Sequence, residues 1–404
     1  MQTSDVVFRG ALKIDEVRIY PLDILPKLRR VLPTGAISYG PQGSWAGRSV
    51  LVAVSAEGIT GWGEIRPVNP FVGETASSVY GAIRDFYAPL LVGKNAFEIE
   101  HLLDVLERKL PQNPSAIAAI DIALHDLVGK ALGIPVHMLL GGACRSEIPL
   151  EWSVGLNDTA SMVREAEDAV SKYGVPYVCV KVGPTSRSQV DFEVLTQIRH
   201  AVGAEVGLGM DANTSYSVNA AIKLAKRLEE VEISYFEQPV PRHALSDLRR
   251  IREETNVSIL ADESLFTLED AQRIIAEKAA DVLGIKHYKC GGLSRAKKIA
   301  AIAESSGLMV NCAGTAAGCY IEAVASAHLC ASVKNHAFGA EFIMGLPSID
   351  PSPIVTNRPM DVSRGSVIVP KLPGLGVSID EKAVHTLALA RTAVTATGSR
   401  EMAI

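Results

Sequence analysis

The chain has 404 residues, 48% of them hydrophobic and 21% charged, with a formal net charge of −5. That length exceeds one average domain and accommodates a barrel plus an accessory unit, while the mild acidity gives no reason to expect nucleic acid or an anionic membrane as partner. Six scattered cysteines without zinc-type spacing read as reduced, buried thiols, and the N-terminus lacks a basic start followed by an apolar core, so no signal peptide and a cytoplasmic location are expected.

In chain order, a strand over 11–20 leads into an irregular segment around Pro33 to Pro41. Strands over 49–56 and 60–65 follow, joined at Glu57-Gly58, a hairpin signal. Helical periodicity then runs over 75–91, 97–110 and 113–132. Residues 1–140 therefore read as an α+β unit. Its two loops could lie over a neighbouring site, with Tyr39 and Trp45 on the first and Arg66, Asn69 and Phe71 on the second as lid candidates. Residues 141–348 alternate strand and helix, with strands ending near Val154, Lys181, Asp211, Glu237, Asp262, Lys286, Cys312 and Glu341. Eight evenly spaced strand ends favour a closed (β/α) barrel over an open doubly wound sheet. Gly-Lys at 93–94 and 129–130 lacks the spacing of a phosphate loop. Residues 309–333, rich in Ala and Cys, read as a buried strand plus an amphipathic helix rather than a membrane span. The Pro-rich segment 349–404 carries a strand near 366–370 and is expected to return to the first unit.

Three acidic phrases terminate consecutive strands: Met210-Asp211-Ala212-Asn213, Phe236-Glu237-Gln238-Pro239 and Ala261-Asp262-Glu263-Ser264. Carboxylates on neighbouring parallel strand ends converge and repel, so they call for a cation, and all-oxygen ligation suits Mg2+ or Mn2+ better than zinc. Lys181 and Lys286 end the strands on either side of this row. Placed beside a cation and low-dielectric walls, such lysines act as bases with pKa lowered to about 7–8. Two bases facing each other across a metal-held carboxylate remove an α-proton from one face and return it to the other. His287 and Lys289 are expected to be structural or surface groups, because neighbours along a strand point the other way.

These motifs together resemble the enolase superfamily, and within it the muconate lactonizing enzyme subgroup of the mandelate racemase/muconate lactonizing enzyme family. The resemblance also covers Gly61-Trp62-Gly63-Glu64, the run from Ala116 to Lys130 continuing to Gly142, Lys286-x-x-Lys289-x-Gly291-Gly292 and Pro373-Gly374-Leu375-Gly376. It implies a modified TIM barrel with an N-terminal α+β capping domain completed by the C-terminal tail. It further implies Asp211, Glu237 and Asp262 as Mg2+ ligands and Lys181 and Lys286 as the acid/base pair. Asn213 and Glu263 would be supporting groups, and Glu341 an eighth-strand acid near the substrate carboxylate. The first lysine of the family's Lys-x-Lys is here Cys179, which removes a positive charge and reads as a packing residue. Strand seven offers no histidine for a mandelate-racemase-type base, and Phe342-Ile343-Met344 stands where dipeptide epimerases carry an Asp-x-Asp pair.

The expected function is an Mg-dependent isomerase abstracting the α-proton of a small carboxylate substrate through an enediolate, as a racemase, epimerase or cycloisomerase. The alternatives are a dehydratase (lyase) using the same enediolate and a catalytically silent metal-binding barrel. Self-association into a homo-oligomer is expected, as is common among large barrel enzymes.

Overall fold

In the computed structural model the described residues are 10–27, 29–69, 71–312, 318–341, 352–357 and 360–402. Seven parallel strands form the catalytic unit: Glu151–Val154, Tyr177–Lys181, Gly207–Asp211, Tyr235–Glu237, Ser258–Ala261, Val282–Ile285 and Met309–Cys312, hydrogen-bonded in that sequential order. Their near-continuous apolar runs are buried on both sides, inside against the barrel interior and outside against helices, as parallel strands require. The helices between them are cued locally. Asp158 caps Thr159–Tyr173 by accepting from Ser161 N, and Gly174 ends it at φ 67°, a conformation glycine adopts without steric cost. Among the described residues the barrel is closed by isolated bridges rather than by a full eighth strand. Ala340 pairs in parallel with Leu150, and His336 with Val310. Glu341 thereby sits next to the bridge that joins the last strand position to the first.

The capping unit is an antiparallel sheet in the order Gly398–Glu401, Thr392–Thr395, Glu16–Leu22, Ser49–Ala56, Ile59–Ile65. The tail thus supplies two of its five strands, while the strand at Ser366–Ile368 pairs instead with Glu147–Pro149 at the barrel's entry. The Glu57-Gly58 turn has φ of 49° and 78°, the left-handed pair of a tight hairpin. Helix Pro114–Leu132 docks the two units. Asp126 accepts from Trp62 N and Leu375 N at 2.8 Å each, and Asp121 accepts from Ser294 N at 3.1 Å and Ser294 Oγ at 3.0 Å. The helix lies so close to strand Ile59–Ile65 that a Cβ at Gly63 would come within 2.1 Å of Ala119 O. That contact explains the Gly-x-Gly of the strand and the alanines of the helix.

Two expectations need correction. Helix Tyr320–Ser332 is buried along all of its length rather than amphipathic, because it is wedged between the barrel and the capping unit. Among the described residues no helix is long and apolar enough to cross a membrane. Cys144 is exposed, whereas the other five thiols are buried as expected; all six are free.

Two consequences for stability follow from this packing. Gly63→Ala sets a methyl against helix backbone that cannot rotate away, so roughly 3 kcal/mol should be lost in urea unfolding; a loss under about 1 kcal/mol would contradict the close approach. The second concerns His328. Burial pushes its pKa down to about 3, and its hydrogen bonds fix the neutral ring: Nδ1 accepts from His137 N at 3.2 Å while Nε2 donates to Leu375 O at 3.3 Å. An unfolded histidine titrates near 6.5, so the unfolded chain binds the extra proton first. This contribution is whole above about pH 6.5 and is lost as pH falls toward 3, reaching about 2 kcal/mol at pH 5. Unfolding free energies of wild type and His328→Gln at pH 7.5 and 5 check it, the variant showing the flatter dependence.

Candidate active site

The strand register assembles the site. Lys181 pairs across the sheet with Asp211, Asp211 with Glu237, and Glu237 with Leu260. Because side chains alternate, the inward set is Cys179 and Lys181, Gly209 and Asp211, Tyr235 and Glu237, Leu260 and Asp262. The lower layer of that set forms an apolar floor of Cys179, Tyr235, Leu260 and Val282 with Phe338 packed beneath. Tyr235 reaches across it and donates to Glu151 Oε2 at 2.7 Å. It does so in space that Gly209 leaves open, since a Cβ there would lie 2.2 Å from its ring. Burial pushes Glu151 up to about 8 and the Cys179 thiol well above its ordinary value, so neither is charged at neutral pH. Cys179 is a packing residue.

The upper layer carries charge. Lys181 Nζ donates to Asp211 Oδ2; Lys286 Nζ donates to Asp262 Oδ2 at 2.6 Å and to Glu237 Oε1 at 3.4 Å. Asn213 donates from its backbone to Asp211 Oδ1 at 2.8 Å and from its amide to Asp211 Oδ2 and Glu263 Oε1, each at 3.1 Å. Seven residues singled out in the sequence therefore meet here. Glu341 joins them, buried, with Oε1 lacking a partner and its charge acting on both lysines. The loops that hold the acids are strained. Asn213, Thr214 and Gln238 have φ of 40°, 69° and 33°, positions that non-glycine residues occupy only under tertiary constraint, often at functional sites.

The protein's own charges do not balance gently. Burial raises Glu237 well above the carboxylate range, with Asp211 adding repulsion, and raises Glu263 to about 8 with help from Asp262. Asp262 is held down, because Lys286 and Lys289 outweigh its desolvation. Both lysines move up, not down to the expected 7–8. Burial works against their charge, but Asp211 at Lys181 and Asp262 at Lys286 overcome it. The expectation had assumed a cation beside each lysine, and among protein atoms alone the neighbours are anions. As the side chains stand, no three acidic, His or Cys groups among the described residues are gathered to hold a metal ion, each carboxylate of the row being turned toward an ammonium. A divalent cation nevertheless fits. Glu263 Oε2 and Asn213 Oδ1 are buried without partners, Glu237 is repelled by both neighbouring acids, and the donor set is all oxygen.

Two residues went unrecognised in the sequence. Lys289 is 2% exposed and donates to Asp262 O at 2.5 Å and to Asp262 Oδ1. The strand ends at Ile285 and His287–Cys290 is a helical turn, so the period changes from two to 3.6 and Lys286 and Lys289 share a face. The i, i+3 spacing before Gly291-Gly292 was the available signal. His287 is buried and structural, its ring bonding Glu322 O and Ser326 Oγ. Gln238 is the second. It accepts from Asp262 N at 3.0 Å and Ser264 N at 3.1 Å while donating to Ser264 Oγ and Val240 O at 2.9 Å, strapping two strand-end loops together.

The lid candidates divide. Phe71 lines a cavity of about 260 Å³ with Asn213, Glu263, Arg242 and Phe266, and Thr34 of the first loop joins it there. Tyr39 lies beneath, in a cluster with Leu32, Ile37 and Val68 that supports Phe71. Trp45 packs edge-on against Tyr80 at 5.3 Å rather than over the site. Asn69 braces its own turn by donating to Val72 O and Glu74 O. Arg66 is buried and ties both loops to the barrel through Ile24 O and Gly318 O, with its backbone N–H on Glu322. Residues 342–344, opposite the epimerase motif, lie outside the described residues.

The chain matches known proteins over most of its length. Residues 42–141 match the mandelate racemase/muconate lactonizing enzyme N-terminal domain, and residues 161–383 match the enolase C-terminal domain-like family. Chloromuconate cycloisomerase of Cupriavidus necator is 34% identical over 338 residues, 83% of this chain and 90% of that protein. Among solved structures, N-succinyl Arg/Lys racemase of Bacillus cereus superposes with a TM-score of 0.86 at 27% identity, covering 95% of this chain and 100% of that one. A dipeptide epimerase of Cytophaga hutchinsonii, complexed with Mg and D-Ala-L-Val, superposes with a TM-score of 0.85 at 25% identity, with the same coverage of 95% and 100%. The chain belongs to the mandelate racemase/muconate lactonizing enzyme family of the enolase superfamily, as an isomerase of that family.

Proposed function

We propose that the chain is a divalent-metal-dependent isomerase that removes the α-proton of a carboxylate substrate and redelivers it, through an enediolate, with Lys181 and Lys286 as the two bases. One observation carries the reading: in strand order the inward residues run Lys181, Asp211, Glu237, Asp262, Lys286, a row of three acids with a lysine at each end. Asp211, Glu237 and Asp262 would hold Mg2+, or Mn2+ in its place; the Mg complex of the dipeptide epimerase relative supports the choice of metal. When bound, the ion supplies positive charge against the second negative charge that develops on the substrate carboxylate.

The chain's own residues supply the rest. Lys181 accepts a proton only as a free amine, and its burial works toward that form while Asp211 and Glu341 oppose it. Releasing Asp211 from the ammonium is therefore the condition for basicity. Lys286, held from the other flank by Asp262 and Glu237, is placed to protonate the opposite face of the same carbon. Asn213 and Gln238 keep the carboxylates aimed without moving during reaction, because both sit on strained, fully buried loop positions. Glu341 Oε1 is left to accept a hydrogen bond from substrate. Phe71 and Thr34, from separate capping loops, close the mouth and exclude water. The relatives act on muconates, N-succinyl amino acids and dipeptides, which makes α-substituted carboxylates the class to screen.

The test is an NMR screen in D2O with Mg2+, using pooled amino acids, N-acyl amino acids, dipeptides and muconates. Deuterium should enter the α-carbon of one class. Lys181→Ala and Lys286→Ala should each slow interconversion by at least about 10³-fold, and EDTA should abolish it until Mg2+ is restored. Interconversion surviving in either lysine variant would sink the two-base reading; loss of water from the substrate would instead mark a dehydratase.

A further inference from the structure

Lys289 belongs to neither base position, yet it is the most deeply buried of the three lysines around the acid row, at 2% exposure against 5% for Lys181 and 9% for Lys286. Its ammonium is committed to one residue. It donates to Asp262 O at 2.5 Å and to Asp262 Oδ1, leaving Oδ2 as the carboxylate atom turned toward Lys286 and the interior. The face of Phe266 covers it, with Nζ 5.6 Å from the ring centroid, and Arg242 stacks on the same ring at 4.8 Å. A buried ammonium with a carbonyl, a carboxylate oxygen and an aromatic face around it has little freedom to move. Asp262 is clamped from the other side as well, because Gln238 accepts from its backbone N–H at 3.0 Å. Backbone N–H, backbone carbonyl and one carboxylate oxygen are all tied, and a single oxygen is presented inward.

We propose that Lys289 is a positioning residue that holds Asp262 in a one-oxygen presentation and so sets the affinity of the site for its divalent cation. This rests on the reading of Asp211, Glu237 and Asp262 as ligands. Loss of a group that fixes a ligand from behind commonly costs about ten- to a hundredfold in metal affinity. Lys289 does not touch the reacting carbon in this reading, so its removal acts on the metal before it acts on chemistry.

The experiment measures Mg2+ binding to the substrate-free protein by titration calorimetry, in wild type, Asp262→Asn, Lys289→Met, Lys289→Gln and Lys289→Arg, with circular dichroism to establish folding. Wild type should bind, and Asp262→Asn should not. Lys289→Met and Lys289→Gln should weaken Mg2+ by about ten- to a hundredfold, and Lys289→Arg, which keeps the charge, should recover most of that loss. At saturating Mg2+ the turnover of a folded Met or Gln variant should return toward wild type. Unchanged Mg2+ affinity in a folded Met or Gln variant, with binding lost in Asp262→Asn, overturns the inference and leaves the metal reading intact. No binding by wild type, or binding unchanged in Asp262→Asn, overturns the metal reading itself. Failure of both Met and Gln variants to fold would make Lys289 a structural residue and overturn the inference as well.

Discussion

The constraint on which the rest of this structure depends is the confinement of like charges in a dry place. Asp211, Glu237, Asp262 and Glu263 are each at most 9% exposed, and carboxylates that close in a low dielectric cannot all ionise without compensation. Lys181, Lys286 and Lys289 provide some. Burial still pushes Glu237 and Glu263 up, Asp211 adding repulsion at the first and Asp262 at the second. A core of this kind costs stability, and nothing in the fold requires it: apolar strand ends would close a barrel as well. Under the proposed function the charge serves the reaction, and a divalent cation would be the economical way to balance it.

Holding such a cluster in place calls for a scaffold that does not yield. Parallel strands give the spacing, since their register sets Lys181, Asp211 and Glu237 side by side. The loops give the aim. Three non-glycine residues just past the acids stand at positive φ, and the completely buried Gln238 side chain makes three hydrogen bonds to the Asp262–Ser264 loop and a fourth to Val240 O in its own. The capping unit is fastened to this frame at points of different chemistry: Asp121 on Ser294 and Arg66 on Gly318. Arg66 also holds Ile24, so the two loops that overhang the site are moored to the barrel by one guanidinium. Closure of the mouth and rigidity of the acid row are thus parts of one arrangement.

Much of this was legible in the sequence because strand ends in a barrel are both periodic and chemically marked. An apolar run that stops at a carboxylate, repeated at even spacing, identifies strand, face and height together, and Lys181 and Lys286 followed by the same logic. Where the period changed, the reading failed. Lys289 was placed on the outward face by strand alternation, although the chain had already turned into a helix at His287. The lid residues were legible only as loops. Nothing in a loop sequence distinguishes Phe71, which faces the cavity, from Arg66, which is buried as a clamp, or Trp45, which turns to Tyr80. The eighth strand position is described only in part. Gly339-Ala340-Glu341 has the right spacing, but only Ala340 is bridged to Leu150 among the described residues.

The floor of the barrel shows how one substitution reorganises a site. At position 179 the resemblance leads one to expect a lysine; here a cysteine stands against Tyr235, and Tyr235 occupies room that Gly209 concedes. A long cationic side chain at 179 would compete with that ring for the same volume. Its charge would also meet Glu151, which is now kept neutral by burial and anchored by the Tyr235 hydroxyl. The floor is consequently uncharged, and the charge is confined to one layer above it. Lys181 then feels Asp211, Glu341 and Glu237, which favour its ammonium against burial. Under the proposed function, a carboxylate entering the site would find no lysine at position 179 beneath it. Its charge would then be met from the acid–lysine layer, which would tie substrate binding to whatever balances Asp211, Glu237 and Asp262 more tightly than a lysine at 179 would.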